Sequence, residues 1–155
     1  IWLGLVGSEM CIRDSIKEAA LKFLQAHRKM VLTVLDENGH PNSSLMLYAV
    51  DEDLKLYFGT CKAFGKYAAL GANAHVAVAV VEESMDPLKV FDLQGIAEEI
   101  SEDKTKETLR WFTEQNPAKY YVKDRDDFVM FKIIPRGMRW LDASSGALII
   151  TDLET

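Results

Sequence analysis

MVLTVLDENGHPNSSLMLYAV, residues 30–50, reads as two β-rich runs, 30–36 and 42–50, around Glu37-Asn38-Gly39-His40-Pro41. Asn38-Gly39 supplies the positive φ that a hairpin turn wants, so the two runs are expected to pair antiparallel. Downstream, Asp51-Glu52-Asp53 is a second turn into LKLYFGT, where Leu54, Leu56 and Phe58 alternate with Lys55, Tyr57 and Gly59. That period of two predicts a half-buried strand and completes a three-strand meander. Connections this tight leave no room for crossover helices and argue against a parallel α/β fold.

Upstream, Ser15-Ile16-Lys17-Glu18 has the capping-box pattern, in which hydroxyl and carboxylate satisfy free amides at a helix start. Ile16, Ala19, Ala20, Phe23, Leu24 and His27 then recur at helical spacing, predicting a helix over 16–28. Residues 1–14 are set apart. They do not begin with Met, lack the basic region and cleavage site of a signal peptide, and contain LGLVGSEMCIRDS, which resembles translated sequencing-adapter read-through. We expect 1–14 to be a non-native or disordered segment, 15–145 the folded domain, and 146–155 a tail or added strand.

Past residue 60, Phe64, Tyr67, Ala68 and Gly71 fall on one helical face, with Gly71 and Asn73 as stop signals before an apolar strand over 75–81. A polar turn at 82–87 leads to a strand over 90–100, in which Gly95 marks a bulge or close approach. Ser101 then caps a helix that runs to about Gln115 and ends at Asn116-Pro117. Strands over 128–134 and 138–142 flank a Pro135-Arg136-Gly137 turn. The sum is a mainly β (α+β) fold, a six- to seven-stranded antiparallel barrel with peripheral helices; the competing architecture is an open α+β sheet.

With 155 residues, 48% of them hydrophobic and 27% charged, the chain can build a core without staples, and disordered, collagenous and disulfide-scaffold classes are excluded. Cys11 and Cys61 form no CxxC and sit far apart, so neither a zinc site nor a disulfide framework is indicated and a reducing cytoplasm is expected. No apolar run approaches the roughly 20 residues needed to span a bilayer. A formal charge of −6 offers no long-range attraction to nucleic acid or anionic lipid, so an anionic ligand needs a local cluster of donors.

Such a cluster is offered by GTCKAFGK, residues 59–66, at a strand end that opens a helix. Amides at a helix start carry partial positive charge, Thr60 adds a hydroxyl, and Lys62 and Lys66 add cations, a combination suited to phosphate. The plainer alternative is that Thr60 caps the helix and both lysines are solvated. There is no Walker A pattern and no GxGxxG. His27, His40 and His75 are scattered without metal-ligand spacing. Cys61, beside Lys62, is a possible activated thiol but more simply a small residue at a permissive position. Lys104 to Arg110 read as a solvated face. The bases and tyrosines of 119–125 are neutralised by Asp124, Asp126 and Asp127, so nucleic-acid binding is not expected.

Taken in order, the D-x-x-G-x-P hairpin, the F-G-T-x-K strand end, the A-N-x-x-V-A turn, the G-x-A strand and the terminal F-K-x-x-P-x-x-x-R-W unit resemble the FMN-binding split β-barrel family typified by pyridoxamine 5'-phosphate oxidase, especially its short general-stress-protein-like members. The likeness spans residues 16–143. It implies a split barrel that forms a homodimer with FMN in clefts at the subunit interface and moves hydride to or from a small molecule. It also implies that Ser44, Leu45, Met46 and Leu47 lie along the isoalloxazine, that Thr60 and Lys66 match phosphate-binding positions, and that Lys62 matches a lysine frequent in the short members. Tyr48, Tyr57, Trp111 and Trp140 are aromatics that could stack on the ring, although such spacing is more often core.

The chain departs from the oxidase pattern. Ser44 stands where the oxidase has an arginine, Phe64-Gly65-Lys66 stands for its Ser-Arg-Lys, and its substrate motif is not recognisable in 138–155. Losing an arginine fork removes a bidentate phosphate contact, so weaker FMN binding or a different ligand is expected, and pyridoxamine phosphate oxidation is not. Hydride chemistry resides in the cofactor, which makes the lack of an acid–base dyad no objection to an oxidoreductase. The alternatives are a non-catalytic flavin or haem binding module, the latter through a lone histidine, and a deazaflavin-dependent reductase.

Overall fold

The computed structural model describes the backbone of residues 2–117 and 123–155, with side chains from residue 12 onward in the first span. Its strands are β1 (Lys29–Leu35), β2 (Pro41–Leu47), β3 (Ala49–Val50), β4 (Leu56–Cys61), β5 (His75–Val81), β6 (Lys89–Glu99), β7 (Phe128–Asp142) and β8 (Ile149–Leu153), with helices α1 (Trp2–Ala26), α2 (Gly65–Ala72) and α3 (Glu102–Gln115). The described strands form one eight-stranded sheet in the order β2-β1-β5-β6-β7-β4-β3, with β8 paired to β7. Every pairing is antiparallel.

The β1–β2 hairpin forms as its sequence predicts. Gly39 takes φ +77°, and the Asp36 carboxylate accepts the Asn38 and His40 amides, each at 2.8 Å. The three-strand meander does not form. Strands β2 and β3 stand at opposite ends of the sheet order although only Tyr48 separates them in the chain. Tyr48 is buried, its hydroxyl donates to the Leu24 carbonyl at 2.8 Å, and its amide donates to the Arg28 carbonyl. These bonds to the end of α1 turn the chain out of β2, and bringing the two sheet ends to one corner curls the sheet into a split barrel.

The predicted Pro135-Arg136-Gly137 turn is instead a bulge inside one long strand. Strand β7 pairs with β4 over its first part and with β8 over its last, while β6 runs beside most of it. The β6–β7 register shifts at Gln94/Gly95, where Gly95 faces Pro135 and Gln94 faces Gly137. Gly95 is the close-approach glycine expected from the sequence: a Cβ there would lie 2.5 Å from the Ile134 carbonyl oxygen. Helix α1 also differs from expectation, running through Ser15 rather than starting there. Residues 2–14 contain no proline, so nothing in the chain forces a break before the capping-box residues. The 146–155 segment provides β8.

The main core fills the barrel with Leu32, Val34, Leu56, Phe58, Val78, Phe91 and Ile133, sealed by Phe23 and Leu24 of α1 and Leu70 of α2. A smaller cluster of Ala49, Phe112 and Met130 seats α3. Among the described residues no helix is long and apolar enough to cross a membrane.

Candidate functional site

Strand β2 lies at an edge of the sheet order, so alternate residues turn backbone N–H and C=O groups away from β1. Its period of two puts Asn42, Ser44 and Met46 on one face and Ser43 and Leu45 on the other. Across from the first face stands the opening of α2. Between them is a cleft of about 480 Å³, lined among others by Val34, Asn42, Ser44, Gly65, Lys66 and Ala69, with Asp36 and Glu37 from the hairpin at its rim.

Two polar groups in this cleft lack an oxygen partner among the described residues. The Ser44 Oγ is buried with no hydrogen bond. The half-buried Lys66 ammonium donates to the Met46 sulfur at 3.2 Å, and no carboxylate pairs with it among the described residues. Burial strips water from the Lys66 ammonium and lowers its pKa. A thioether is a weak acceptor for a cation, so the site presents two donors that an anionic oxygen would satisfy. The Asp36 carboxylate is already engaged by turn amides. These residues fit a phosphate-bearing cofactor.

The start of α2 is held from outside. Its N-cap, Phe64, makes no side-chain capping bond. Instead the Lys62 amide donates to the Asp127 carbonyl at 3.0 Å and the Ala63 amide to Asp127 Oδ2 at 3.0 Å. Arg125 grips the same carboxylate through Nε at 2.9 Å and Nη2 at 3.1 Å, and its guanidinium lies 5.2 Å from the Phe64 ring centroid. Neither Asp127 nor Arg125 is singled out as a site residue by the sequence, where Arg125 reads only as one of the bases of 119–125 and Asp127 as one of the acids that neutralise them.

Of the residues singled out from the sequence, Ser44 and Lys66 line the cleft, and Met46 joins them only through the contact of its sulfur with the Lys66 ammonium. Leu45 points to the opposite face and is 66% exposed. Thr60 is 2% exposed, because alternation along β4 turns it to the same side as Leu56 and Phe58, and it does not cap α2. Lys62 is exposed and lies outside the cleft lining. The glycine before Thr60 has a packing reason: a Cβ on Gly59 would meet the Phe128 ring at 2.5 Å.

None of the four aromatics lines the cleft. Tyr48 and Trp140 are core, the latter edge-on to Phe23 at 5.0 Å, and Tyr57 packs edge-on to Trp111 at 4.9 Å beside α3. Cys61 is buried, and desolvation followed by the nearby Asp127 charge pushes its thiol pKa up, the opposite of an activated nucleophile. His27 contacts the Phe23 carbonyl and Glu82, His40 faces Asp36, and His75 begins β5, all outside the cleft lining. The stretch 118–122, including Lys119, Tyr120 and Tyr121, lies outside the described residues.

The sequence model of the family described as pyridoxamine 5'-phosphate oxidase matches residues 16–141. In fold, the chain is similar to a Clostridium acetobutylicum protein related to general stress protein 26 of B. subtilis, of the pyridoxinephosphate oxidase family, at 17% identity and TM-score 0.68 over 88% of this chain and 94% of that one. It is similar to a heme binding protein from Mycobacterium smegmatis at 20% identity and TM-score 0.67, over 83% of this chain and 54% of the other. An F420 reductase aligns at 22% identity and TM-score 0.60, over 72% and 88%. No match was found among curated proteins.

Proposed function

The chain belongs to the pyridoxamine 5'-phosphate oxidase family, and from that premise we propose that its β2–α2 cleft binds FMN by the phosphate in a homodimeric, cytoplasmic oxidoreductase acting on a small molecule. The observation that carries this reading is a pair of donors without an oxygen partner among the described residues, the Lys66 ammonium and the buried Ser44 Oγ, in one cleft. Lys66 would take the phosphate charge, and Ser44 would donate a hydroxyl where the oxidase has an arginine. The free edge of β2 supplies backbone groups for the polar margin of the isoalloxazine, with the Met46 side chain beside it. Bound FMN would supply the hydride chemistry, and the chain's own part is to hold and orient it.

Two features weigh on the choice of cofactor. Haem ligation by histidine finds no support in the cleft, whose lining contains none. Deazaflavin cofactors share the tricyclic ring and ribityl phosphate, so the same donors would serve them, and only titration separates the two. For the homodimer, support comes from the outer face of the sheet. Paired residues share a face, so Leu45, Val31 and Ala79 form one row across β2, β1 and β5, and Val81, Val90, Leu141 and Ile150 form the next across β5, β6, β7 and β8. Exposure of 42% at Val31, 50% at Val81 and 55% at Ile150 makes these rows an apolar patch of the kind that marks an interface, bordered by the charged Asp92, Arg139 and Asp152 that continue the first row.

The test is an absorbance spectrum of the purified protein before and after incubation with FMN and dialysis, followed by addition of NADH or NADPH. Retained flavin of about one equivalent per chain, reduced and reoxidised with turnover, is the expected result. A protein that retains no FMN overturns the cofactor assignment, and flavin that stays bound without turnover overturns the enzyme.

A further inference from the structure

We propose that Asp127 is a positioning residue for the anion end of the cleft, braced by Arg125, an inference that rests on reading that end as a phosphate site. Strand β4 stops at Cys61 and α2 begins at Gly65, so residues 62–64 decide where the first turn of α2, and with it Lys66, stands. Two of those three residues give their amides to Asp127, Lys62 to its carbonyl and Ala63 to its carboxylate, each at 3.0 Å. The third, Phe64, lies under the Arg125 guanidinium, 5.2 Å from its ring centroid.

Arg125 closes the arrangement by holding both carboxylate oxygens of Asp127, at 2.9 and 3.1 Å. A two-point guanidinium–carboxylate contact fixes orientation as well as distance. The helix has no side-chain cap of its own to do this, and a phenylalanine N-cap cannot supply one. The brace therefore reaches α2 from the turn before β7, while the opposite wall of the cleft comes from β2. Donors act on an anion only if the supporting residues hold them in place, and a small displacement is enough to lose the contact.

The test compares wild type with Asp127→Ala, Asp127→Asn and Arg125→Ala, measuring binding of FMN and of riboflavin, which has no phosphate, together with melting temperature and amide hydrogen exchange over residues 62–66. Asp127→Ala should weaken FMN by about tenfold or more and leave riboflavin within about twofold, with Asp127→Asn in between because its amide oxygen still accepts from Ala63. Exchange of the Ala63 amide, which loses its acceptor, should accelerate in step. Equal loss of both ligands with a fallen melting temperature would make the role merely structural and overturn the proposal, as would unchanged FMN affinity. If wild type binds neither FMN nor riboflavin, the cofactor assignment fails by itself. Exchange then decides the brace: accelerated exchange in Asp127→Ala supports it, and unchanged exchange overturns it.

Discussion

Lys66 carries the positive charge of the cleft, and among the described residues no carboxylate is ion-paired with it, which leaves its ammonium available to a bound anion. Replacing it with alanine removes one charge-assisted contact, so Lys66→Ala should weaken FMN by roughly 1–3 kcal/mol in a fluorescence titration; unchanged affinity would remove the cleft from the cofactor site. The pH dependence has a definite sign. Burial lowers the Lys66 pKa in the free protein, a bound anion raises it, and binding therefore takes up a proton. Affinity should be full below the free-state pKa of Lys66 and fall as pH rises through it. Asp127 behaves in the opposite sense. The Arg125 contact first, then the Ala63 amide, holds its carboxyl at about 2, below an unfolded value of about 3.9. Its contribution to stability is present above the unfolded value and is lost as pH falls toward 2, and carbon-detected NMR titration of the Asp127 carboxyl should show the midpoint there. Gly65 offers a gain rather than a loss. It lines the cleft, has an ordinary φ, and a Cβ there would meet nothing within 4 Å. Because it stands where the oxidase has an arginine, Gly65→Arg should tighten FMN in the same titration, and a weakened or unchanged Kd would show that the space is used otherwise.

At the scale of elements, glycine separates two kinds of close approach. A Cβ on Gly95 would meet the Ile134 carbonyl oxygen and, at 2.8 Å, the Ile133 Cγ2, backbone and core that cannot step aside. Gly59 sits against the end of a Phe128 ring that is only partly buried. Gly95→Ala should therefore cost more in urea denaturation than Gly59→Ala, about 1–3 kcal/mol for the first, the range for overpacking. Gly95 was legible in the sequence because a lone glycine weakens a strand and is kept there mainly where a bulge or a close backbone approach requires it. The Pro135-Gly137 pair misled for a related reason. Those residues are turn formers in isolation, but room opened by Gly95 on the facing strand lets the chain pass through as a bulge, and a local pattern carries no information about its partner strand. Thr60 was legible in principle, since Leu56 and Phe58 set the parity that sends it inward; the helix-start motif beside it pointed the other way. Asp127 was not legible at all. It reaches Ala63 across 64 residues of chain, and in sequence its carboxylate differs in nothing from that of Asp126.

For the molecule as a whole, one corner and one face govern behaviour. The corner is Tyr48, through which the chain leaves one end of the sheet order and enters the other, and whose hydroxyl ties the curl to α1. The face is the apolar surface built from Leu45, Val31, Val81 and Ile150. Both follow from the antiparallel order, yet the order itself could not be read from strand lengths, because a short edge strand and a long central one look alike until paired. The face makes a prediction that separates assembly from folding. Val31 is only partly covered in the single chain, so Val31→Glu should leave the melting temperature of a monomer nearly unchanged, within the ±0.5 kcal/mol usual for surface substitutions. In a dimer that covers the same row, a carboxylate facing apolar neighbours without a counter-charge costs far more. Light scattering should then show wild type at twice the chain mass and Val31→Glu at the chain mass, with FMN retention falling in parallel if the cofactor is shared across the interface. A monomeric wild type would detach this face from the cofactor site, and a dimer indifferent to Val31→Glu would move the interface elsewhere on the barrel.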